Sequence, residues 1–158
     1  MKGRRDYFDD SAAPAVNSLV PAASVVVFDE AGRILLQRWR DNEQWALLGG
    51  AMQAGETIAS AAIRETKEET DIDVEVIGLV GIYTDPRHVI AYADGEVRQE
   101  FNVCFRGRAL PGIVSPGSES AEVRFFAPIE IGALAMHPST SLRIDHSLDT
   151  NRTSPYIG

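Results

Sequence analysis

At 158 residues, of which 44% are hydrophobic, the chain has the size and apolar content of a single globular domain. Its formal net charge of −8 argues against binding to nucleic-acid backbones, and no run of residues approaches the ~18 apolar positions of a membrane span. The single cysteine, Cys104, excludes an internal disulfide and a cysteine-based zinc site. Because the start, MKGRRDYFDD, lacks the apolar stretch of a signal peptide, we expect a cytoplasmic protein that contacts neither a membrane nor nucleic acid.

The two ends of the chain differ in pattern from its middle. Residues 1–19 combine charges with Ser, Ala and Pro and show no sustained periodicity, so we expect them to form an N-terminal arm. Residues 20–150 are expected to form the domain, and residues 151–158 a C-terminal tail.

Strand and helix patterns open the domain. Ala23–Phe28 and Arg33–Trp39 are strand-like and flank a hairpin-type turn at 29–32. A helix is predicted over Ile58–Thr70, with Thr57 as its N-cap. The face expected to pack on the sheet has the i, i+3, i+4, i+7 spacing and consists of Ala59, Ala62, Ile63 and Thr66.

The second half of the chain is again rich in strands. We predict strands at Val74–Tyr83, Val97–Phe105 and Arg124–Ala127, and short helices at 129–135 and 139–148. Because strands dominate and the helices do not alternate regularly with them, the pattern favours an α+β sandwich over repeated βαβ units.

Three carboxylates lie on one face of the predicted helix, since Glu65, Glu68 and Glu69 have the spacing i, i+3, i+4. Like charges at this spacing destabilise a helix by roughly 0.2–0.5 kcal/mol per pair. A hard cation between them would remove that repulsion, and oxygen ligands suit Mg²⁺ or Mn²⁺. Acidic helix faces are also common on solvated surfaces, so the cluster alone is weak evidence for a metal site.

The spacing around this helix resembles the Nudix box, G-x5-E-x7-R-E-U-x-E-E-x-G-U, where U is a bulky aliphatic residue. The matching positions span Gly50 to Ile72, 23 residues, and are Gly50, Glu56, Arg64, Glu65, Glu68, Glu69 and Ile72. Four residues depart from the usual pattern: Thr66, Asp71, Leu48 and Gln53. Asp71 replaces the glycine that ends the helix, and Asp tolerates the left-handed conformation needed there better than most residues.

The resemblance implies a Nudix-type α/β/α sandwich with a mixed β-sheet and a Mg²⁺-dependent activity, with Mn²⁺ as a second candidate ion. It implies hydrolysis of the pyrophosphate bond of a small molecule, a nucleoside diphosphate linked to another moiety X, such as ADP-ribose or a nucleotide sugar. Glu65, Glu68 and Glu69 would hold the metal together with Gly50, whose carbonyl is the donor. Glu56 and Arg64 would orient these ligands.

The general base is left open between three glutamates. Crowded carboxylates raise one another's pKa, so Glu68 or Glu69 can accept a proton from water. Glu119 lies in the Ser/Gly-rich segment SPGSESAEV, which we expect to be a flexible loop able to bring its carboxylate to the metal site. Together with Arg64, these glutamates form the expected catalytic set.

The expected substrate contacts are Trp45, Arg87 and His88, and each also has a purely structural interpretation. Trp45 can stack on a ring or simply pack at a strand start, whereas Arg87 and His88 follow a strand in what can be an ordinary polar turn. Glu100 and His137 are weaker candidates.

Two other functions share the implied fold. A non-catalytic nucleotide sensor usually lacks box glutamates, which this chain retains. An isoprenyl diphosphate isomerase needs a catalytic cysteine, but Cys104 lies in the apolar run FNVCF and is expected in the core. The resemblance is compatible with a homodimer in which an arm carrying Tyr7 and Phe8 is exchanged between subunits.

Overall fold

A computed structural model describes residues 3–158, which form twelve strands and three helices. The strands are β1 (Arg5–Phe8), β2 (Ser18–Leu19), β3 (Ala22–Phe28), β4 (Ile34–Trp39), β5 (Trp45–Ala46), β6 (Leu48–Ala51), β7 (Val74–Tyr83), β8 (His88–Ala91), β9 (Val97–Gln99), β10 (Asn102–Ala109), β11 (Ser120–Phe126) and β12 (Tyr156–Ile157). The helices are α1 (Ile58–Thr70), α2 (Pro128–Ile131) and α3 (Pro138–Leu148). None of these helices is long and apolar enough to cross a bilayer.

The main sheet is mixed and is covered by helices on both faces. Its strand order is β11-β4-β3-β10-β7-β12, and β6 and β5 pair with β3 and β4. Strand β10 runs parallel to β3 and antiparallel to β7. This arrangement confirms the predicted α/β/α sandwich with a mixed sheet.

Alternating side chains of β3 divide the core into two halves. Val25 and Val27 pack with Ala61 and Ala62 of α1, whereas Val26 points to the other face. The residues that share the second half with Val26 come from several strands and from the two late helices: Ile34, Leu36, Phe126, Ile131 and Ile144. The sheet therefore fixes α1 on one side, and the inner face of α1 determines where its polar edge emerges.

Both ends of α1 agree with the prediction. The Thr57 hydroxyl accepts a hydrogen bond from the Ser60 N–H at 3.1 Å, as an N-cap should. Asp71 ends the helix in the left-handed conformation, with φ 62°, and its N–H donates to the Lys67 carbonyl at 2.9 Å. These caps fix the length of the helix that carries the three glutamates.

The predicted inner face of α1 was partly wrong. Ile63 is 38% exposed, and the buried residues are Ala61, Ala62, Thr66 and Thr70. The helix can bury two threonines because each hydroxyl donates to the carbonyl four residues earlier, for example Thr66 to Ala62 at 2.8 Å. The buried face of α1 is therefore rotated about the helix axis relative to the predicted face, and Glu65 and Glu69 lie beside it.

The strand predicted over Val97–Phe105 is in fact two strands that belong to different sheets. Strand β9 pairs with β8 and β2, whereas β10 joins the main sheet. The small sheet has the order β1-β8-β9-β2 and includes part of the expected arm, because Arg5–Phe8 pairs antiparallel with His88–Ala91 of the same chain.

The last part of the chain follows the prediction with shifted boundaries. The final strand of the main sheet before the late helices starts at Ser120, four residues before the predicted start at Arg124. The helix expected at 129–135 is shorter, since α2 covers only Pro128–Ile131. The helix expected at 139–148 is confirmed as α3, which begins at Pro138.

Candidate active site

A cavity of about 360 Å³ lies where the main sheet, α1 and the small sheet meet. Two groups of polar side chains line it. We call the first the carboxylate cluster, which comprises Glu65, Glu69 and Glu119 beside Gly49 and Gly50. We call the second the histidine cluster, which comprises Arg4, Asp6, His88, Glu100, His137 and Arg143.

Gly50 allows Glu65 to approach the backbone of β6. A Cβ atom at this position would lie 2.5 Å from Cδ of Glu65, so any larger residue would displace the carboxylate. Burial raises the pKa of Glu65 above its ordinary value, although a hydrogen bond from Arg64 opposes the shift. The glycine of the box is therefore explained by the space that Glu65 occupies.

Glu69 is the most strongly perturbed carboxylate of the cluster. Burial raises the pKa of Glu69 to about 8, and the negative charges of Glu65 and Glu119 act in the same direction. Hydrogen bonds from Gln37 and from the Gly49 N–H, the latter 3.0 Å from Oε2, oppose the shift only in part. Burial and like charge thus disfavour the ionised form of Glu69, and a bound divalent cation would favour it, which is why these carboxylate oxygens fit Mg²⁺.

Arg64 holds the surrounding glutamates in position. Its Nε donates to Glu56 at 2.5 Å, and its Nη1 donates to Glu65 at 2.8 Å and to Glu68 at 3.3 Å. A further bond reaches the Ala51 carbonyl at 3.1 Å and ties α1 to β6. This geometry agrees with the orienting roles expected of Arg64 and Glu56. The Glu68 side chain is 58% exposed and does not line the cavity.

The loop that carries Glu119 is held against the C-terminal end of α1, contrary to the expected flexible loop. The N–H groups of Ser115 and Gly117 donate to the carbonyls of Thr70 and Glu69 at 2.9 and 3.0 Å. A Cβ atom at Gly117 would lie 2.6 Å from the Glu68 carbonyl oxygen, so the loop approaches the helix as closely as glycine allows. Glu119 therefore lines the cavity from a loop whose backbone is bonded to α1.

The three expected substrate contacts have different surroundings. His88 is only 4% exposed and lines the cavity. Trp45 also lines it but packs in the core, with its ring edge against Phe126 at a centroid distance of 4.7 Å. Arg87 does not line it, and its exposed guanidinium pairs with Asp85 at 2.7 Å. Of the weaker candidates, Glu100 and His137 also line the cavity.

Arg4 and Asp6 were not predicted from the sequence to be site residues. The Asp6 carboxylate accepts two bonds from Arg4, each at 2.8 Å, and lies 3.0 Å from Nε2 of His88. The signal for this strand is weak, since β1 has only four residues and follows several charges. Nothing within the segment indicates that its partner is β8, more than 80 residues away.

Asp6, His88 and His137 also place potential ligand atoms within 4.8 Å of one another. The arrangement does not suit a metal ion, because Arg4 and His88 already occupy the Asp6 carboxylate. In addition, the two imidazoles stack at 4.5 Å with an interplanar angle of 19°, so their in-plane lone pairs do not converge. We therefore describe this group as a hydrogen-bonded cluster.

Cys104 lies in the core, as expected, with 0% of its surface exposed. It does not line the cavity. The cavity thus offers no thiol among residues 3–158, so the structure gives no support to an isomerase that depends on cysteine.

Comparison with known proteins gives a consistent family. A family model described as NUDIX domain matches residues 18–147. A MutT-like protein from Streptomyces ambofaciens is 34% identical over 123 residues, which cover 77% of this chain and 71% of that protein. An ADP-ribose pyrophosphatase from Methanocaldococcus jannaschii is 32% identical over 117 residues, which cover 68% of this chain and 63% of that protein, slightly less than two thirds of its length.

A solved structure also resembles this fold. A NUDIX hydrolase structure from Nitrosomonas europaea superposes with a TM-score of 0.71 at 23% identity, covering 91% of this chain and 80% of that chain. At this level of identity the likeness concerns the fold alone.

Proposed function

The chain belongs to the NUDIX family and is a hydrolase of phosphoanhydride bonds, and we propose that its substrate is a nucleoside diphosphate linked to another group X. We further propose that Mg²⁺ is the working ion, with Mn²⁺ as a second candidate. ADP-ribose is the first compound to test, because the archaeal relative is named an ADP-ribose pyrophosphatase.

The observation that carries the proposal is the carboxylate cluster. Glu65 and Glu69 both have raised pKa values, and Glu119 contributes to raising each of them. Burial and the proximity of three carboxylates at one cavity disfavour their ionised forms, although Arg64 pairs with Glu65. The ionised forms become favourable when a divalent ion lies among them, and that ion in turn attracts a pyrophosphate to an otherwise acidic protein.

We assign metal binding and proton transfer to different residues of the site. Glu65, Glu68 and Glu69 would hold the ion together with the Gly50 carbonyl, and Arg64 and Glu56 keep these groups oriented. When bound, the ion neutralises the pyrophosphate and stabilises charge on the transferring phosphoryl group. The carboxylate of Glu119 is then available to accept the proton of the attacking water, with Glu69 and Glu68 as the alternatives.

A panel assay tests the proposal directly. The protein is incubated with Mg²⁺ and ADP-ribose, nucleotide sugars, dinucleoside polyphosphates or nucleoside triphosphates, and released phosphomonoester is measured. Glu69→Gln should lower turnover at least about 10²-fold, the low end for the loss of an acid–base group. The control is Glu43→Gln, since the Glu43 side chain is 81% exposed and outside the cavity.

Two outcomes would contradict the proposal. Binding of these compounds without cleavage of any of them would favour a non-catalytic nucleotide sensor. Unchanged turnover of Glu69→Gln would mean that the carboxylate face is only a solvated helix surface.

A further inference from the structure

Two buried polar atoms of the histidine cluster have no hydrogen-bond partner among residues 3–158. They are Nδ1 of His88 and Nε of Arg143, on side chains of residues that are 4% and 7% exposed. Both residues line the cavity that also contains the carboxylate cluster. Buried polar atoms are usually paired, so two unpaired atoms in one cavity wall indicate a ligand group that supplies the missing bonds.

The hydrogen-bonding character of His88 follows from Asp6. Burial favours the protonated acid, but the hydrogen bonds from His88 and Arg4 outweigh it, so the pKa of Asp6 lies well below its ordinary value. An ionised carboxylate only accepts hydrogen bonds, so Nε2 of His88, at 3.0 Å, must carry the proton. In the neutral ring Nδ1 is then an acceptor with a free lone pair.

Arg143 supplies the complementary atom. Its Nη2 donates to Oε1 of Glu100 at 2.8 Å, which leaves Nε–H as an unused donor. The other oxygen of Glu100 lies 4.0 Å from Nδ1 of His88. One donor and one acceptor thus flank the same carboxylate.

The charges around these two atoms disfavour a phosphate group as their ligand. Each guanidinium of the cluster is matched by a carboxylate, since Arg4 pairs with Asp6 and Arg143 with Glu100. Burial lowers the pKa of His137 to about 4, so this ring is neutral near pH 7. A phosphate would accept from Arg143, but it would leave His88 unpaired and meet the Glu100 charge.

We infer that His88 and Arg143 bind a sugar hydroxyl of the substrate, which accepts from Nε–H of Arg143 and donates to Nδ1 of His88. A hydroxyl group has both capacities on one uncharged oxygen. The inference rests on the proposed function, because it places part of the same pyrophosphate substrate beside the histidine cluster. The hydroxyl belongs either to the nucleoside ribose or to a sugar in X.

Two substitutions remove one atom each while keeping the neighbouring bond. In His88→Gln the amide nitrogen can replace Nε2 and still donate to Asp6, but nothing replaces Nδ1. In Arg143→Lys the positive charge stays near Glu100, but Nε–H is lost. The matched control is Arg108→Lys, because Arg108 also pairs with a glutamate, Glu75, but lies outside the cavity.

The probes are ADP-ribose and four analogues, each lacking the 2′ or 3′ hydroxyl of one of its two riboses. For each variant we would measure kcat/KM with Mg²⁺ and, independently of cleavage, binding by calorimetry. One analogue should be at least about tenfold poorer than ADP-ribose for the wild type, since removing that hydroxyl leaves buried polar atoms unpaired again. His88→Gln and Arg143→Lys should largely abolish this discrimination, mainly through KM, whereas Arg108→Lys should retain it. The ribose that carries the sensitive hydroxyl identifies its source.

Several results would overturn the inference. If the wild type shows the same kcat/KM and affinity for all analogues as for ADP-ribose, water alone occupies the site. The same conclusion follows if both variants lose the same factor for every analogue. Failure of ADP-ribose to bind would equally refute it. If ADP-ribose binds but no compound of the panel is cleaved, the proposed function fails, and the calorimetric discrimination still decides the hydroxyl site.

Discussion

The two clusters of the cavity differ in how their charges are balanced. In the carboxylate cluster, burial raises the pKa values of Glu65 and Glu69, and the nearby charge of Glu119 adds to both shifts. In the histidine cluster, every guanidinium is paired, as Arg143 is with Glu100 at 2.8 Å. A bound cation would therefore favour the ionised carboxylates of the first cluster, whereas the paired histidine cluster has only directional hydrogen bonds to offer. The first would suit the pyrophosphate of the proposed substrate, and the second would suit a sugar hydroxyl of the same molecule.

Removing divalent metal should have the largest effect on activity. It tests a dependence on a bound ion that we propose for the carboxylate cluster and not for the histidine cluster. Excess EDTA should abolish hydrolysis, and Mg²⁺ or Mn²⁺ should restore it, because only the carboxylate cluster depends on an ion. Added Mg²⁺ should also raise the thermal unfolding midpoint of the wild type, and this rise should be smaller in Glu69→Gln. Full activity in excess chelator would contradict the assignment of the carboxylate cluster as the catalytic centre.

Replacing Glu119 should have the next largest effect. If its carboxylate is the base, Glu119→Gln should lower turnover about 10²–10⁴-fold with little change in substrate binding. The wild-type rate should rise with pH through the pKa of the base, and this dependence should flatten in the variant. Steady-state kinetics at two pH values and two Mg²⁺ concentrations test this.

The same measurements distinguish the alternatives for Glu119. Partial recovery of turnover at high Mg²⁺ would make Glu119 a metal ligand. Unchanged turnover would leave Glu69 or Glu68 as the base, even though Glu119 lines the cavity.

A smaller but more specific effect is expected from Gly50→Ala. The added Cβ would lie 2.5 Å from Cδ of Glu65 and would displace this carboxylate. Affinity for Mg²⁺ should fall about 10–100-fold, the range for a misoriented ligand shell. Mg²⁺ titration of turnover measures it. Gly132→Ala is the control, because nothing lies within 4 Å of its added Cβ, and equal effects of the two substitutions would refute the packing argument.

The contrast between the clusters also explains what the sequence could predict. Most of the carboxylate cluster comes from one loop and one helix, so helical spacing predicted that Glu65 and Glu69 share a face, and the resemblance to the Nudix box predicted the metal site and the end of the helix at Asp71. The inner face of that helix was misjudged, because the buried hydroxyls of Thr66 and Thr70 are satisfied by backbone carbonyls that a hydrophobicity pattern does not include.

His88, Glu100 and His137 were named singly from the sequence, but their meeting with Arg4 and Asp6 was not predicted, for a topological reason. The members of the histidine cluster meet only because β1 pairs with β8 and because the chain leaves the small sheet between Gln99 and Asn102. That break places Glu100 at the cavity, although the residues around it have the pattern of one continuous strand. Local periodicity contains no information about which distant strand Asp6 will join.

The last prediction concerns the stability of the histidine cluster. Asp6→Asn preserves shape but removes the charge that pairs with Arg4 and accepts from His88. Because the side chain is only 18% exposed, the substitution should lower the free energy of unfolding at pH 7 by about 1–3 kcal/mol. Asp85→Asn disrupts a more exposed pair with Arg87 and should cost less than about 1 kcal/mol.

The pH dependence of this difference tests its electrostatic origin. The pKa of Asp6 is lower in the folded protein than in the unfolded chain, so the folded state binds the proton less tightly. Its contribution is therefore present above the unfolded pKa of about 3.9 and is lost as the pH falls further. Urea unfolding of the wild type and Asp6→Asn at pH 7 and pH 3 should show a difference that narrows at the lower pH. A difference of equal size at both values would mean that Asp6 stabilises the cluster through packing, and that its charge balance is not what distinguishes it from the carboxylate cluster.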